Sequence, residues 1–143
     1  MIGYLDTSVM VKRYVRERGS KEILRLCDSL EVIVISSVGY AEVVSAFCRK
    51  LREGAMTAGV CDRLIREFND DWRSFARMIV SDQLNELTAE LLRKHRLRGL
   101  DAIHLASALK AHPAGGEDFI FATADARLLR AARSEGLSTF PET

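Results

Sequence analysis

Four short apolar runs, rich in β-branched and aromatic residues, are each followed by a stretch whose apolar residues recur at helical spacing. This alternation constrains the fold more than any other feature. The runs are MIGYL at the start, EVIVISS from residue 31, ARMIVS from residue 76 and DFIFATAD from residue 118. Each is nearly continuous in apolar residues, as strands buried on both faces are, so the chain reads as a parallel sheet covered on both faces by helices. LSTF, 137–140, is a candidate edge strand, giving four to five in all.

The helical stretches follow the same logic. GSKEILRLCDSL follows the first helix, which begins near Val9. Val38 to Arg52 runs up to Gly54 as a C-cap, and another helix is expected roughly from Thr57 to Phe75. SDQLNELTAELLRKH is begun by Ser81 or Asp82, LDAIHLASALKAH follows, and ARLLRAARSEG stops at Gly136. With 143 residues, 48% hydrophobic, two prolines and no linker or repeat, 1–143 reads as one domain with a sizeable core. No apolar run is long enough to cross a bilayer and no secretory pattern is present, so a cytoplasmic protein is expected. Cys27, Cys48 and Cys61 are odd in number, lie in helical stretches and read as reduced thiols.

In parallel sheets of this kind, sites form outside the carboxyl ends of the strands. Asp6 ends the first strand, Glu42 falls in the first turns of the helix after the second, and Asp125 stands just beyond the fourth. Taken singly, Asp6 is a good helix N-cap, and three acids at one sheet edge are a stronger signal than any one of them. Asp101 begins a helix and does not follow from the rule. An aspartate there is also what the helix dipole favours.

Four stretches in order, YLDTSVMVKRYVRERGS, SSVGYAEVVSAF, LRGLDAIHLASAL and FIFATADARLLRAARSEGL, resemble the PIN-domain ribonucleases, especially the toxins of VapBC toxin-antitoxin pairs. The resemblance spans essentially the whole chain. It implies a three-layer α/β/α fold with strand order 3-2-1-4-5, and Asp6, Glu42, Asp101 and Asp125 as the acidic quartet of a metal-dependent RNase. Thr7, Ser8 and Thr123 match the accompanying hydroxyls. It further implies a homodimer, an RNA substrate and a VapB-like antitoxin whose carboxyl-terminal segment covers the site. Ala126 and Arg127 stand where some members carry a further acid, so a first metal position is better provided for than a second.

The chemistry suits these residues. A divalent ion lowers the pKa of bound water and offsets charge growing on a phosphodiester under attack, and Mg²⁺ or Mn²⁺ needs only a few carboxylates beside water and phosphate oxygens. Four clustered acids without an ion would repel one another. Asp6, Asp101 and Asp125 are the expected ligands, and Glu42 binds metal or orients the attacking water. A haloacid-type phosphatase would need an acid where Ser8 stands, and a phosphate-accepting receiver domain would need a lysine before Pro113, where His112 stands.

Other residues carry less. His104 reads as a core or semi-buried histidine, and His95 and His112 have no evident partner. Trp72, Phe68 and Phe75 at helical spacing read as packing. Net charge is +1, with 21 Lys plus Arg against 20 Asp plus Glu, so any RNA-binding surface must come from distribution. Basic clusters lie at 12–18, 49–52 and 93–98. The first two follow Asp6 and Glu42, which makes Lys12, Arg13 and Arg49 candidate phosphate contacts. The alternatives are a catalytically quiet PIN-like module that grips RNA or protein, and a housekeeping PIN nuclease without an antitoxin.

Overall fold

The structure is a computed structural model and describes residues 1–113 and 118–142. Among these, five strands and seven helices alternate as β1 (Ile2–Leu5), α1 (Thr7–Tyr14), α2 (Ser20–Ser29), β2 (Val32–Ser36), α3 (Gly39–Arg52), α4 (Ala58–Trp72), β3 (Ala76–Met78), α5 (Asp82–Lys94), α6 (Gly99–Ala111), β4 (Phe119–Ala122), α7 (Ala126–Ser134) and β5 (Thr139–Phe140). All pairings are parallel, in the order β3-β2-β1-β4-β5. The expected fold class and strand order are those observed.

Because side chains alternate along a strand, the sheet feeds two separate cores. Leu5, Ile35 and Ala122 point into one, with α1 to α4 over them, while Tyr4, Val34 and Phe121 point into the other, beneath α5 to α7. Phe68 anchors the first core, its ring 5.4–6.4 Å from those of Tyr14, Tyr40, Phe47, Trp72 and Phe75. The aromatic spacing on α4 therefore marks packing. Cys27, Cys48 and Cys61 are free thiols.

Local signals explain where elements begin and end. The side chains of Asp6, Thr57, Ser81 and Asp125 each accept a hydrogen bond from the first turn of the helix they precede. Ser81, rather than Asp82, thus caps α5. Gly54 and Gly136, at φ +78° and +89°, take the left-handed conformation that closes α3 and α7. Two expectations shorten. The third strand keeps only Ala76–Met78, because it lies at the sheet edge and pairs with β2 alone. The helix after Thr57 ends at Trp72, and the turn bonds of Ser74 to Asp71 and Phe75 to Trp72 carry the chain into β3. Among the described residues no helix is long and apolar enough to cross a membrane.

Candidate functional site

A cleft of about 640 Å³ lies at the carboxyl end of the sheet, and Asp6, Glu42, Asp101 and Asp125 all line it. Asp6 is the deepest of the four, 3% exposed, at the junction where β1 turns into α1. Its Oδ1 accepts from the Ser8 hydroxyl at 2.6 Å and the Val9 N–H at 3.0 Å, and its Oδ2 accepts from the Thr123 hydroxyl. Both hydroxyls are themselves aimed, since Ser8 Oγ accepts from the Ala124 N–H at 3.0 Å and Thr123 Oγ1 from the Asp125 N–H at 3.1 Å. Each passes a backbone donor of the β4–α7 junction to the buried carboxylate. Burial pushes the Asp6 carboxyl above its ordinary range, and the bonds from Ser8 and Thr123 oppose the shift.

Glu42, in the first turn of α3, is fixed through Oε1. Thr7 Oγ1 donates to it at 2.9 Å, and His104 Nε2 lies 2.7 Å away. Burial would raise this carboxyl, but the bonds from His104 and Thr7 outweigh burial and hold it below the usual carboxylate range. An ionised carboxylate only accepts, so Nε2 of His104 carries the proton it shares. On its other side, His104 Nδ1 is 2.7 Å from the Tyr4 hydroxyl, which also accepts from the Ser36 N–H at 3.1 Å. Burial raises the Tyr4 pKa well above its ordinary value, so the phenol keeps its proton and can donate to Nδ1. A buried chain thus runs from β2 through Tyr4 and His104 to Glu42. His104 is a core histidine as expected, 1% exposed, and in addition a support of the cleft. The sequence signal for it was its position three residues after Asp101 on one helix face.

Asp101 and Asp125 are more open. Asp101, in the first turn of α6, has Arg98 as its single ion-pair partner among the described residues, with Nε 3.7 Å from its Oδ2. Asp125 caps α7 through Oδ1, accepting from Arg127 N–H at 2.9 Å and Leu128 N–H at 3.0 Å, while Oδ2 is 4.0 Å from Arg98 Nη2. Arg98 is 85% exposed, so these contacts bind weakly. Burial and then the charge of Asp125 push the Asp101 carboxyl up, against the pull of Arg98 and His104.

The candidate phosphate contacts divide. Lys12 and Arg49 line the cleft, with Lys50 beside them. Lys12 is partly spent on Glu17 and the Arg18 carbonyl, at 3.3 and 2.8 Å, and Lys50 on Glu17 at 3.0 Å. Arg13 is not in the cleft wall. It turns into the packing of the α1–α4 layer, 3.9 Å from Asp71 and stacked over the rings of Tyr14 and Phe75 at 5.6 and 5.4 Å. Helical period separates it from Lys12 by about 100°, which puts neighbouring residues on different faces. His95, without an evident partner in the sequence, is 2.7 Å from Glu135.

Residues 3–134 match the family model of the PIN domain. The chain belongs to the PIN-domain family. Over 138 residues it is 30% identical to Ribonuclease VapC45 of Mycobacterium tuberculosis, covering 96% of this chain and 94% of that protein. The fold is similar to that of Mycobacterium tuberculosis VapC20, a sarcin-ricin loop cleaving toxin, with a TM-score of 0.66 at 16% identity over 94% of this chain and 95% of the other. It is also similar to VapBC2 from Rickettsia felis bound to a promoter DNA fragment, with a TM-score of 0.60 at 14% identity over 87% and 88%.

Whether this PIN cleft suits a divalent ion can be judged from its donors. Among the described residues no three His, Cys, Asp or Glu side chains converge as a ready-made cage. Its open half nevertheless holds two neighbouring carboxylates whose mutual charge raises one pKa. One or two carboxylates with water in the remaining positions is how Mg²⁺ is ordinarily held, so the donor set fits a largely hydrated ion.

Proposed function

We propose that the chain is a metal-dependent ribonuclease that hydrolyses RNA phosphodiester bonds and acts as the toxin of a type II toxin-antitoxin system. The observation that carries this reading is the cleft itself, with four carboxylates from four separate segments at the carboxyl end of one parallel sheet. The names of its relatives support the same reaction.

In this reading Asp101 and Asp125, with Asp6 behind them, hold Mg²⁺ or Mn²⁺. When bound, the ion supplies Lewis acidity toward the phosphate and a lowered pKa for attacking water. Ser8 and Thr123 keep Asp6 in one rotamer. Thr7 and His104 hold Glu42 by one oxygen, which leaves Oε2 to accept from a water and orient it toward phosphorus. Lys12 and Arg49 stand at the cleft margin, where phosphate oxygens of the substrate would lie. Arg13 has no such position.

The regulatory partner in this reading is an antitoxin that lays a basic side chain among the acids, as a guanidinium fork can bind a carboxylate at two points. The catalytic unit is a homodimer of a single-domain chain.

The decisive experiment is cleavage of bulk RNA by the purified chain with Mn²⁺ or Mg²⁺ and a chelator control. Expected is metal-dependent cleavage that Asp101→Asn abolishes in a folded protein. Full activity in the chelator, or in folded Asp101→Asn, would overturn the assignment, and inert wild-type protein would favour a binding module.

A further inference from the structure

Beside the acidic cleft, on the α5–α7 side, two hollows share Arg96, Leu97 and Arg127. One reaches Asp101 and Asp125, and the other continues past Arg130 to His95. Together they form a groove that opens on the acids and leads away from them.

The sequence makes this groove in two pieces. Between α5 and α6 the backbone is extended, with φ −126° and ψ 152° at His95 and φ −75° and ψ 159° at Arg98. Successive side chains of extended backbone point opposite ways, so Leu97 packs on the core while Arg96 and Arg98 stand exposed. On α7, Arg127 and Arg130 are three residues apart, share one face and are exposed, while Leu128 and Ala131 face inward. Among the described residues, Arg98 alone of these four arginines has an acidic partner, and its contacts are 3.7 and 4.0 Å long. This differs from the α1–α3 margin, where Lys12 and Lys50 are both ion-paired with Glu17.

We infer that this groove binds the phosphate backbone of RNA on one side of the scissile bond, with Arg96, Arg127 and Arg130 as its phosphate contacts. The inference rests on the ribonuclease reading and extends its substrate site. A guanidinium takes a phosphate through two parallel N–H bonds, and arginines with no internal acid lose no existing partner when they do. With Arg49 on the opposite margin, a strand held at both ends passes over Asp101 and Asp125, so bonds inside the chain are the ones presented. Contacts of this class set register and affinity without reading bases.

The test uses the full chain with a fluorescently labelled single-stranded RNA of random sequence, titrated in EDTA by anisotropy over a series of KCl concentrations. For single strands each phosphate contact contributes about 0.7 to the slope of log affinity against log salt, so Arg127→Ala/Arg130→Ala should flatten it by about 1.4. Arg127→Lys/Arg130→Lys should keep most of the slope. Arg25→Ala/Arg66→Ala, exposed on α2 and α4 in the opposite layer, should leave it unchanged. In Mn²⁺-dependent cleavage the alanine pair should raise KM with kcat nearly preserved. An unchanged slope and KM in the alanine pair, with wild type active, would overturn the inference alone and leave the arginines to a protein partner. A wild-type chain that neither binds nor cuts RNA would overturn the ribonuclease reading and this inference with it.

Discussion

Asp6 and Glu42 are held by hydroxyls, a backbone N–H and a buried imidazole, whereas across the same cleft Asp101 and Asp125 face each other with one exposed arginine loosely between them. The contrast is sharpest between Asp6 and Asp101, since Asp125 also accepts two backbone N–H bonds as the cap of α7. Asp6 has donors on both oxygens, and so it can remain in a site almost closed to water. Among the described residues Asp101 accepts no hydrogen bond, its nearest basic group being Arg98 at 3.7 Å, and it carries the repulsion of Asp125. A buried, fully bonded acid fixes geometry, while an open pair of acids is where a cation lowers the energy most. The cleft therefore has a rigid half and a receptive half.

Breaking the receptive half should produce the largest change. Asp101→Asn is expected to lower RNase activity by orders of magnitude while leaving far-ultraviolet circular dichroism unchanged, since the side chain supports no other group. Activity within a few-fold of wild type would erase the distinction between the halves.

Breaking the rigid half should show in stability as well. Asp6→Ala removes the cap of α1 and strands the buried Thr123 hydroxyl and the half-buried Ser8 hydroxyl, a loss of about 2–4 kcal/mol in urea denaturation. Asp125→Ala removes the cap of α7 alone and should cost about 1 kcal/mol. Equal losses would mean that Asp6 is no more embedded than Asp125.

A ligand should sharpen the comparison by a similar amount. If Mn²⁺ is held chiefly by the open pair, then at a hundred times its Kd it stabilises wild type by about 2.7 kcal/mol, and Asp101→Asn should lose most of that gain in thermal melts. The same ionic strength supplied as KCl should not reproduce it.

The smallest effect is in pH, and its sign differs between Asp101 and Glu42. The raised pKa of Asp101 means the folded chain binds that proton more tightly than the unfolded chain, so its charge destabilises fully above the raised value and not at all below the ordinary 3.8. In EDTA, Asp101→Asn should therefore melt higher than wild type at neutral pH, with the advantage vanishing as pH falls. Glu42, with a lowered pKa, stabilises fully above its ordinary 4.5 and loses this as pH falls through the folded value. Glu42→Gln should melt lower than wild type at neutral pH and converge with it in acid. Parallel curves for the two variants would remove the electrostatic contrast.

Much of the architecture was legible because its signals are local. Continuous apolar runs identify strands covered on both faces, Thr57, Ser81, Gly54 and Gly136 mark helix ends through short-range capping, and acids just past a strand point to the edge where a cleft opens. The strand order needed the family resemblance, since apolar periodicity does not say which strands are neighbours.

What the tertiary structure alone decided concerns partners distant in sequence. Tyr4 and His104 are 100 residues apart, and nothing near either names the other. Lys12 of the first basic cluster meets Glu17 while Arg13 turns into the aromatic core, because adjacent helical residues face different surroundings. Arg96 and Arg127 come together only because α6 and α7 lie on the same side of the sheet. Backbone periodicity acts over a few residues and is written in the chain, while the pairing of charges depends on which surfaces the folded sheet brings within hydrogen-bonding reach.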